Sequence, residues 1–324
     1  MPEAPRSRKF ATAAAKILLG AVLLFLLWKR GLVDPVRLGR SVHAHLDLCL
    51  VAFVCQGAIL VLMGIRWRLL SRSAGIGLTW TESVRLTVMA LSLSTCLPGN
   101  AAGDLAKGWI LSRRGVPFAR TLGTVAIDRW TGIAGLFLSW ALWSAVLFAV
   151  APEVRPLAAV LLLVSVPAAG AFVASSLWGA ALERHLPAPR SDTGLVDRFL
   201  RAVRDILETA ARSGTDRRTV LAALALSLGN QVLMVAIGWC AVRTVDVAAT
   251  IPQIGALLPA TMCANALPLA PGGVGLGETV GALGFSRLGL PAWTGSETLL
   301  LVRLASVSWA VPGILLWILD RPRR

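Results

Sequence analysis

Long uninterrupted apolar runs are the feature that most restricts what this chain can fold into. Six of them approach the roughly 20 apolar residues that are needed to cross a bilayer core. Apolar residues make up 56% of the chain and charged residues only 15%, which is too little polar surface for a soluble protein. The sequence therefore predicts an all-α, polytopic membrane bundle with full spans near 12–28, 46–65, 130–150, 156–179, 219–242 and 297–319.

Basic residues are clustered between the apolar runs. The net charge of +15 comes from these short groups and not from a separate basic domain, so it indicates membrane orientation and argues against nucleic-acid binding. The positive-inside rule places both termini in the cytoplasm of a bacterial inner membrane. The basic groups that it places inside are Arg66, Arg68 and Arg72, the groups before the third span and in loop 182–218, and the C-terminal arginines. The first outside loop, which includes Arg37, is also basic and conflicts with this assignment.

Two further apolar segments do not fit as full spans. Segment 86–97 lies between two groups assigned to the cytoplasm, and a full crossing would reverse the polarity of everything after it. A re-entrant hairpin over 86–112, entering from the cytoplasm, removes this conflict. By the same reasoning, the broken segment 254–290 is predicted to form a second hairpin from the outer face. Two broken segments of opposite orientation are typical of inverted-repeat transporters.

The whole chain, residues 1–324, is predicted to be one integral membrane domain. Its first half covers about 12–150 and its second half about 219–320. In the loop between them, 195–212 has the spacing of an amphipathic helix, which lies on the membrane surface or packs on the bundle. We expect Trp28, Trp67 and Trp80 to be interfacial anchors and the five cysteines to be free thiols.

Ionisable residues at membrane depth are the first candidates for a functional site. A charge at the bilayer centre costs about 2.5–3.5 kcal/mol on insertion scales, so such residues usually face a cavity and pair with each other. We expect Glu278 to pair with Arg303, and a second cluster to form from Asp104, Lys107, Asp128 and Arg129. Structural ion pairs are the alternative, and for Arg303 so is snorkelling to the interface. The candidates for binding a headgroup are Asp104, Lys107, Asp128, Arg129, Asn265, Glu278 and Arg303.

Glycine and proline at the two hairpin turns form the second group of candidates. Proline ends the incoming half-helix, and glycine allows close backbone approach. The outgoing half-helix then begins near the midplane with free N–H groups, which suit an anionic phosphate; ordinary kinks are the alternative. The GxxxG spacing at Gly99 and Gly277 fits hairpin packing and homo-oligomerisation equally well. The breaks are Pro98, Gly99, Gly103, Pro268, Pro271, Gly272, Gly273, Gly275 and Gly277.

The sequence contains no motif typical of an enzyme or a metalloprotein. It has no P-loop, no nucleophile elbow and no strand-led glycine fingerprint. His43 and His45 have no acidic or cysteine partner at metal-ligand spacing. We therefore expect neither catalysis nor a cofactor nor a bound metal.

Three segments resemble the signature of the lysylphosphatidylglycerol synthase transmembrane family, also called flippase-like. They are residues 97–107 (LPGNAAGDLAK), the pair Asp128-Arg129, and residues 267–278 (LPLAPGGVGLGE). The resemblance covers about 12–320. Asp104 stands where the family often has Glu, and Lys107 where it often has Arg, which keeps the charge but not the bidentate geometry of Arg.

The resemblance implies a lipid translocase without naming the lipid. In the best-known members this region moves an aminoacylated phospholipid between leaflets, and a separate soluble domain makes that lipid. The implied ligand is a phospholipid with an anionic or amine-bearing headgroup. The alternative is a non-transporting accessory subunit that positions a lipid- or glycan-modifying enzyme; a membrane-embedded transferase would need a catalytic group that this sequence does not offer.

Overall fold

The computed structural model describes residues 25–96, 102–183, 217–266 and 275–319, and all regular elements in these ranges are helical. The predicted breaks from Pro98 to Gly99 and from Pro268 to Gly273, and the predicted amphipathic helix 195–212, lie outside the described residues, as does most of the predicted span 12–28. The α-helices are α1 (Pro35–Ala44), α2 (Leu46–Ser73), α3 (Trp80–Cys96), α4 (Ala102–Ser112), α5 (Phe118–Val150), α6 (Arg155–Glu183), α7 (Arg217–Thr244), α8 (Ile251–Ala266), α9 (Leu276–Arg287), α10 (Ala292–Ser308) and α11 (Ala310–Leu319).

Five predicted spans correspond to long apolar helices among the described residues. These segments are Leu46–Ser73, Arg120–Val150, Pro152–Ser175, Arg217–Thr244 and Ala292–Leu319. The chain is therefore a multi-pass, all-α membrane protein. The boundaries of two helices differ from the prediction. A span predicted from hydropathy stops at the first charged residue, whereas a helix continues through a charged residue that has a partner. Helix α2 continues past Arg66 to Ser73, and α5 begins before the Asp128-Arg129 pair.

Helices α3 and α4 form a helical hairpin. The outer ends are held together by an ion pair between Glu82 on α3 and Arg114 after α4, with 3.3 Å between nitrogen and oxygen. Helix α3 begins with a capping box in which Thr79 and Glu82 each accept a hydrogen bond from the other's backbone N–H. Helix α2 ends, and α5 begins, at this same end of the bundle, which we call the first end.

Helices α8 and α9 form the second hairpin, at the opposite end of the bundle. Its inner ends meet where Gly277 packs directly against the side chain of Asn265. Helix α8 begins beyond the end of α7, and its Gly255 packs against Trp143 in the far half of α5. Since α5 starts at the first end, this contact places the second hairpin at the other end, which we call the second end.

The helices that precede the hairpins are antiparallel partners. Both α2 and α7 contain 28 residues. Leu70 and Ala223 share a cluster near the first end, and His45 contacts Asp246 with 3.1 Å between their side chains at the second end. Helix, hairpin and helix therefore occur twice with opposite orientation, as α2–α5 and as α7–α10. The sequence-based prediction of an inverted repeat agrees with this arrangement.

The last span contacts both hairpins. Helix α10 packs against α9, where Gly281 and Gly295 are in close contact. After a break at Trp309, helix α11 packs against α3 of the first hairpin, and Trp317 donates a hydrogen bond of 3.0 Å to the carbonyl of Met89. The Trp309 indole stacks on Phe53 of α2 and donates a hydrogen bond of 2.9 Å to its carbonyl. One segment thus couples the two halves of the molecule.

Candidate functional site

Glu278 lies on α9, three residues after Gly275, and is completely buried. One carboxylate oxygen accepts a hydrogen bond of 3.2 Å from Nε of Arg303 on α10 and forms an ion pair with its Nη2 at 3.1 Å. The other oxygen accepts the backbone N–H of Gly275 at 2.7 Å. Gly275 has a φ of +87°, a conformation that glycine adopts without strain. The expected pair of Glu278 and Arg303 is therefore present, and the same carboxylate also satisfies the first turn of α9.

Asp104 occupies the matching place on α4, and its carboxylate accepts a hydrogen bond from Nε of Arg129 on α5. The arginine is the more accessible partner, with 52% of its side chain exposed against 18% for Asp104. Arg129 lies about 16 Å along α5 from its first residue, at a rise of 1.5 Å per residue. Because hydrocarbon solvates a guanidinium poorly, the Asp104 carboxylate supplies the anionic partner that Arg129 needs at that depth.

The two acid–arginine pairs are equivalent by sequence as well as by structure. In each, the partners are 25 residues apart. Four landmarks of the second half, Gly277, Glu278, Pro291 and Arg303, lie 174 positions after Gly103, Asp104, Pro117 and Arg129. The two halves therefore align without a net insertion or deletion between these landmarks.

The backbone confirms this equivalence at the turns that follow α4 and α9. Gly115 and Gly289 both have positive φ, +84° and +76°, and each ends its helix with a hydrogen bond to the serine three residues before it. Both α5 and α10 then begin directly after a proline. Aligning the two halves of the sequence from Gly103 and Gly277 onward would have revealed this gapless match. The Leu-Pro dipeptides at 97–98 and 267–268 are a weaker guide, because the segments that follow them differ in length.

Asp128 and Lys107 belong to the first pair's surroundings, but their direct partners differ from the expected ones. Asp128 binds Arg66 on α2, with hydrogen bonds of 2.7 and 3.1 Å, and Arg66 also donates to Ser227 on α7 at 2.8 Å. The positive-inside rule assigns Arg66 to a cytoplasmic basic group, and the structure shows that its side chain is only 4% exposed and lies inside the bundle. Its position on the inward face of α2 is decided by helix phase, which a count of basic residues ignores.

The Lys107 ammonium lies over the ring of Trp67, 4.4 Å from its centroid. Trp67 is fully buried and donates a hydrogen bond to Thr124, so its prediction as an interfacial anchor is wrong. A buried cation stacked on an aromatic ring is stabilised by cation–π attraction. Lys107 therefore lies inside the first hairpin, with its amino group held over Trp67.

Glycines at the inner ends of both hairpins allow close helix packing. A Cβ on Gly103 would lie 2.2 Å from the carbonyl oxygen of Ala90, and one on Gly277 would lie 2.2 Å from Oδ1 of Asn265. The Gly103 N–H also donates to the Ser94 hydroxyl at 3.2 Å. Asn265 thus lies at the packing contact of the second hairpin, next to the start of α9.

A further buried acid, Glu297 on α10, was not among the sequence-based candidates. It is fully buried and accepts three hydrogen bonds from Arg37 of α1, the shortest at 2.6 Å, and one from the Asp34 N–H. Its carboxylate raises the pKa of Arg37 above the ordinary value. The Arg37 guanidinium also stacks on Trp293 at 4.1 Å. This ion pair ties α1 to the second end of the bundle. The signal in the sequence was a Glu within a span that is apolar enough to cross the membrane.

The sequence profile of the lysylphosphatidylglycerol synthase transmembrane region matches residues 13–313, which is nearly the whole chain. The chain belongs to this family. The resemblance seen in the motifs is thereby confirmed, and the family associates the chain with membrane phospholipids. No curated protein matches the chain.

Membership in the lysylphosphatidylglycerol synthase transmembrane family gives the two pairs a context. The first motif segment ends in Asp104 and Lys107, and the second ends in Glu278, so both motifs lead into the start of an outgoing hairpin helix. Among the described motif residues, the acids Asp104 and Glu278 therefore lie near the inner ends of α4 and α9.

Proposed function

We propose that this member of the lysylphosphatidylglycerol synthase transmembrane family is a lipid translocase, which moves a phospholipid headgroup between the leaflets of the bacterial inner membrane. The observation that carries this proposal is the duplication of one acid–arginine pair, at the same spacing, in two oppositely oriented halves. A carrier with alternating access needs equivalent polar residues in both halves, so that it can present a similar binding site to each side of the membrane.

In this proposal both hairpins are re-entrant, and they approach the midplane from opposite leaflets. The first end faces the cytoplasm, as the basic residues around Arg68 and Arg114 favour. The paired acids keep each arginine in place while no lipid is bound. An arriving phosphate competes for the guanidinium, since planar N–H groups bind phosphate oxygens bidentately.

The unequal exposure of the two arginines supports a mechanism in which one site opens at a time. Arg129 is half exposed, whereas Arg303 is 26% exposed and its partner Glu278 is fully buried. The headgroup enters at Asp104 and Arg129, and rocking of the halves about the α2–α7 contact exposes Glu278 and Arg303 next. The span α10–α11 contacts both hairpins, so it transmits the movement from one half to the other.

An amine-bearing headgroup is compatible with the same residues. The carboxylates of Asp104 and Glu278 would bind its ammonium while the arginines bind its phosphate. A zwitterionic or aminoacylated phospholipid thus engages both members of a pair, and a purely anionic one engages only the arginine. This difference makes headgroup preference a direct test of which partner contacts the lipid.

The decisive experiment is lipid translocation in proteoliposomes that contain the purified full chain. Phospholipids with a fluorescent label on one acyl chain and native glycerol, ethanolamine or choline headgroups are exposed to a membrane-impermeant reductant, which bleaches only the outer leaflet. Bleaching beyond the outer-leaflet fraction demonstrates translocation. If no headgroup in this panel is moved, the translocase is wrong for these lipids, and an accessory role with a partner enzyme becomes the better explanation.

A further inference from the structure

The charged side chains at the first hairpin form one cluster of two acids, two arginines and one lysine. Asp104 accepts a hydrogen bond from Arg129. Asp128 binds Arg66, with 2.7 Å between oxygen and nitrogen. Lys107 on α4 lies within electrostatic range of both pairs. Since each acid already has an arginine, the two pairs balance their charges without the lysine.

Lys107 is enclosed by this cluster but differs from its other members in its contacts. Its side chain is only 5% exposed, and its amino group lies 4.4 Å from the centroid of the Trp67 ring. Among the residues that the structure describes, this amino group makes neither a hydrogen bond nor an ion pair. The ring attracts an ammonium but has no net charge that could balance one. A buried charge without a counter-ion is costly, and such groups tend to be neutral instead.

The second half has no equivalent of this amine. The positions 174 residues after Lys107 and Asp128 are Gly281 and Val302. A Cβ on Gly281 would lie 2.7 Å from Cδ1 of Leu299, so the packing of α9 on α10 leaves no room there for a long side chain. The amine therefore distinguishes the first acid–arginine pair from the second, although the pairs themselves match.

Asp104 and Lys107 are neighbours on the same face of α4. They are three positions apart, a spacing that brings side chains on a helix together. The present partner of Asp104 is Arg129, whose side chain is 52% exposed, so an anion can reach its guanidinium. An anion bound there displaces the Asp104 carboxylate, which then requires another cation. Lys107, one helical turn away, can supply it as an ammonium.

Lys107 is also the member of the cluster that can exchange a proton as a base, because arginine stays charged in proteins. The charged groups that act on it come from α2, α4 and α5. Helix α3, which packs against α4, carries Glu82 and Arg85 in its outer half, and Glu82 pairs there with Arg114. Glu82 is thus occupied at the outer end of the hairpin, whereas Lys107 lies beside Asp104.

We propose that the first hairpin binds an anionic phosphate group together with one proton, with the phosphate on Arg129 and the proton on Lys107. The inference rests on the proposed translocase function and adds an ion-coupled step to it. While Asp104 binds Arg129, the Lys107 amine is neutral. When the phosphate displaces Asp104, the amine takes one proton from the solvent, and the new ammonium binds the Asp104 carboxylate.

The charge balance of this exchange explains why a proton is taken up. One negative charge enters with the phosphate and one positive charge enters with the proton, so the cluster gains no net charge. Binding without the proton would leave the mostly buried Asp104 carboxylate without a counter-ion, which is strongly unfavourable. Because Gly281 stands in the place of the lysine, proton uptake is confined to the first half.

The test is calorimetric binding of a short-chain phosphatidylglycerol to the purified full chain in detergent, in two buffers that differ in their heat of ionisation. The difference between the measured heats gives the number of protons taken up, because the phosphodiester itself does not titrate near neutral pH. We expect about one proton per bound lipid, and an affinity that falls by up to about tenfold per pH unit as the pH rises. Sulfate, which does not titrate there either, is the free-anion probe.

Two substitutions at Lys107 test the assignment of the proton. Lys107→Met, which keeps the length of the side chain, should bind the lipid about tenfold more weakly and without proton uptake. Lys107→Arg has a permanent charge, so it should bind without proton uptake and independently of pH. Lys29→Met, at an exposed lysine, is the matched control and should behave like wild type. Lys107→Gln, which is also uncharged, repeats the test should Lys107→Met fail to give a monodisperse protein.

Two results would overturn the proton-linked site. One is binding by wild type that is independent of pH. The other is proton uptake that Lys107→Met retains, which would place the proton on the displaced Asp104. Uptake with sulfate but not with the lipid would retain the anion site and refute a lipid headgroup as its ligand. Translocation without proton uptake would retain the translocase and refute this inference, and proton-linked lipid binding by a protein that moves no lipid would do the reverse.

Discussion

Glu278 and Arg303 are joined across α9 and α10 at a spacing of 25 residues, which is the spacing that joins Asp104 and Arg129 across α4 and α5. In both cases the acid follows a glycine at the start of the outgoing hairpin helix, and the arginine lies on the next long helix. The second pair is the more enclosed of the two. The predictions below depend on this equivalence.

Glu278→Gln should reduce translocation about ten- to a hundredfold while the protein remains folded. The change removes the charge that holds Arg303, and a hydrogen bond to a charged group contributes about 1.5–3 kcal/mol. Initial rates in proteoliposomes measure the effect. Glu153→Gln, in the exposed turn after α5, is the control and should transport like wild type. An inactive Glu278→Gln that also aggregates would instead indicate a purely structural ion pair.

Asp104→Asn and Arg129→Gln should each slow translocation, and the double variant should be little slower than the worse single one. Residues that act as a pair are non-additive, because breaking either partner already removes the interaction. Rates of the four proteins in this double-mutant cycle give the coupling. Simple multiplication of the two effects would show that Asp104 and Arg129 act independently and would contradict a shared site.

Gly103→Ala should destabilise the protein more than Gly277→Ala. The added methyl meets the backbone carbonyl of Ala90 in the first case and the Asn265 side chain in the second, and a side chain moves aside more easily. Thermal unfolding in detergent measures the difference. Gly170→Ala on α6, where the methyl meets nothing within 4 Å, should be neutral or stabilising. Asn265→Ala should rescue Gly277→Ala but not Gly103→Ala.

Asp128→Asn should lower stability by about 3–5 kcal/mol, because it leaves Arg66 buried without its charged partner. The double variant Arg66→Met with Asp128→Leu should recover most of that stability, since an apolar pair needs no compensation. Denaturant unfolding compares the two. Recovery of translocation by the double variant would assign this pair a structural role, whereas a stable but inactive double variant would assign it to the site.

Arg37→Met should detach α1 from the second end of the bundle, because it leaves the buried Glu297 carboxylate without its main donor. We expect a lower melting temperature and faster proteolysis between α1 and α2. Arg40→Met, at an exposed position on the same helix, is the control and should behave like wild type. Unchanged proteolysis in Arg37→Met would show that apolar packing of α1 is sufficient to hold it.

The sequence by itself determined the features that depend on local composition. Apolar runs about the length of a bilayer core predicted α2, α5, α6, α7 and the last span, because a chain in hydrocarbon must satisfy its backbone within helices. The charge pattern predicted two hairpins of opposite orientation. The pair of Glu278 and Arg303 was also predictable, because a charge at membrane depth requires a partner and few candidates lie near it.

Only the tertiary structure decided which charged residues meet across long separations. Arg66 and Arg68 look alike in sequence, yet two positions on a helix face nearly opposite directions, so Arg66 reaches Asp128 while Arg68 lies on Trp80. The burial of Trp67 and the contact of Arg37 with Glu297 across 260 positions likewise depend on how faces pack. Hydropathy averages over a window and has no direction, whereas packing selects one face of each helix.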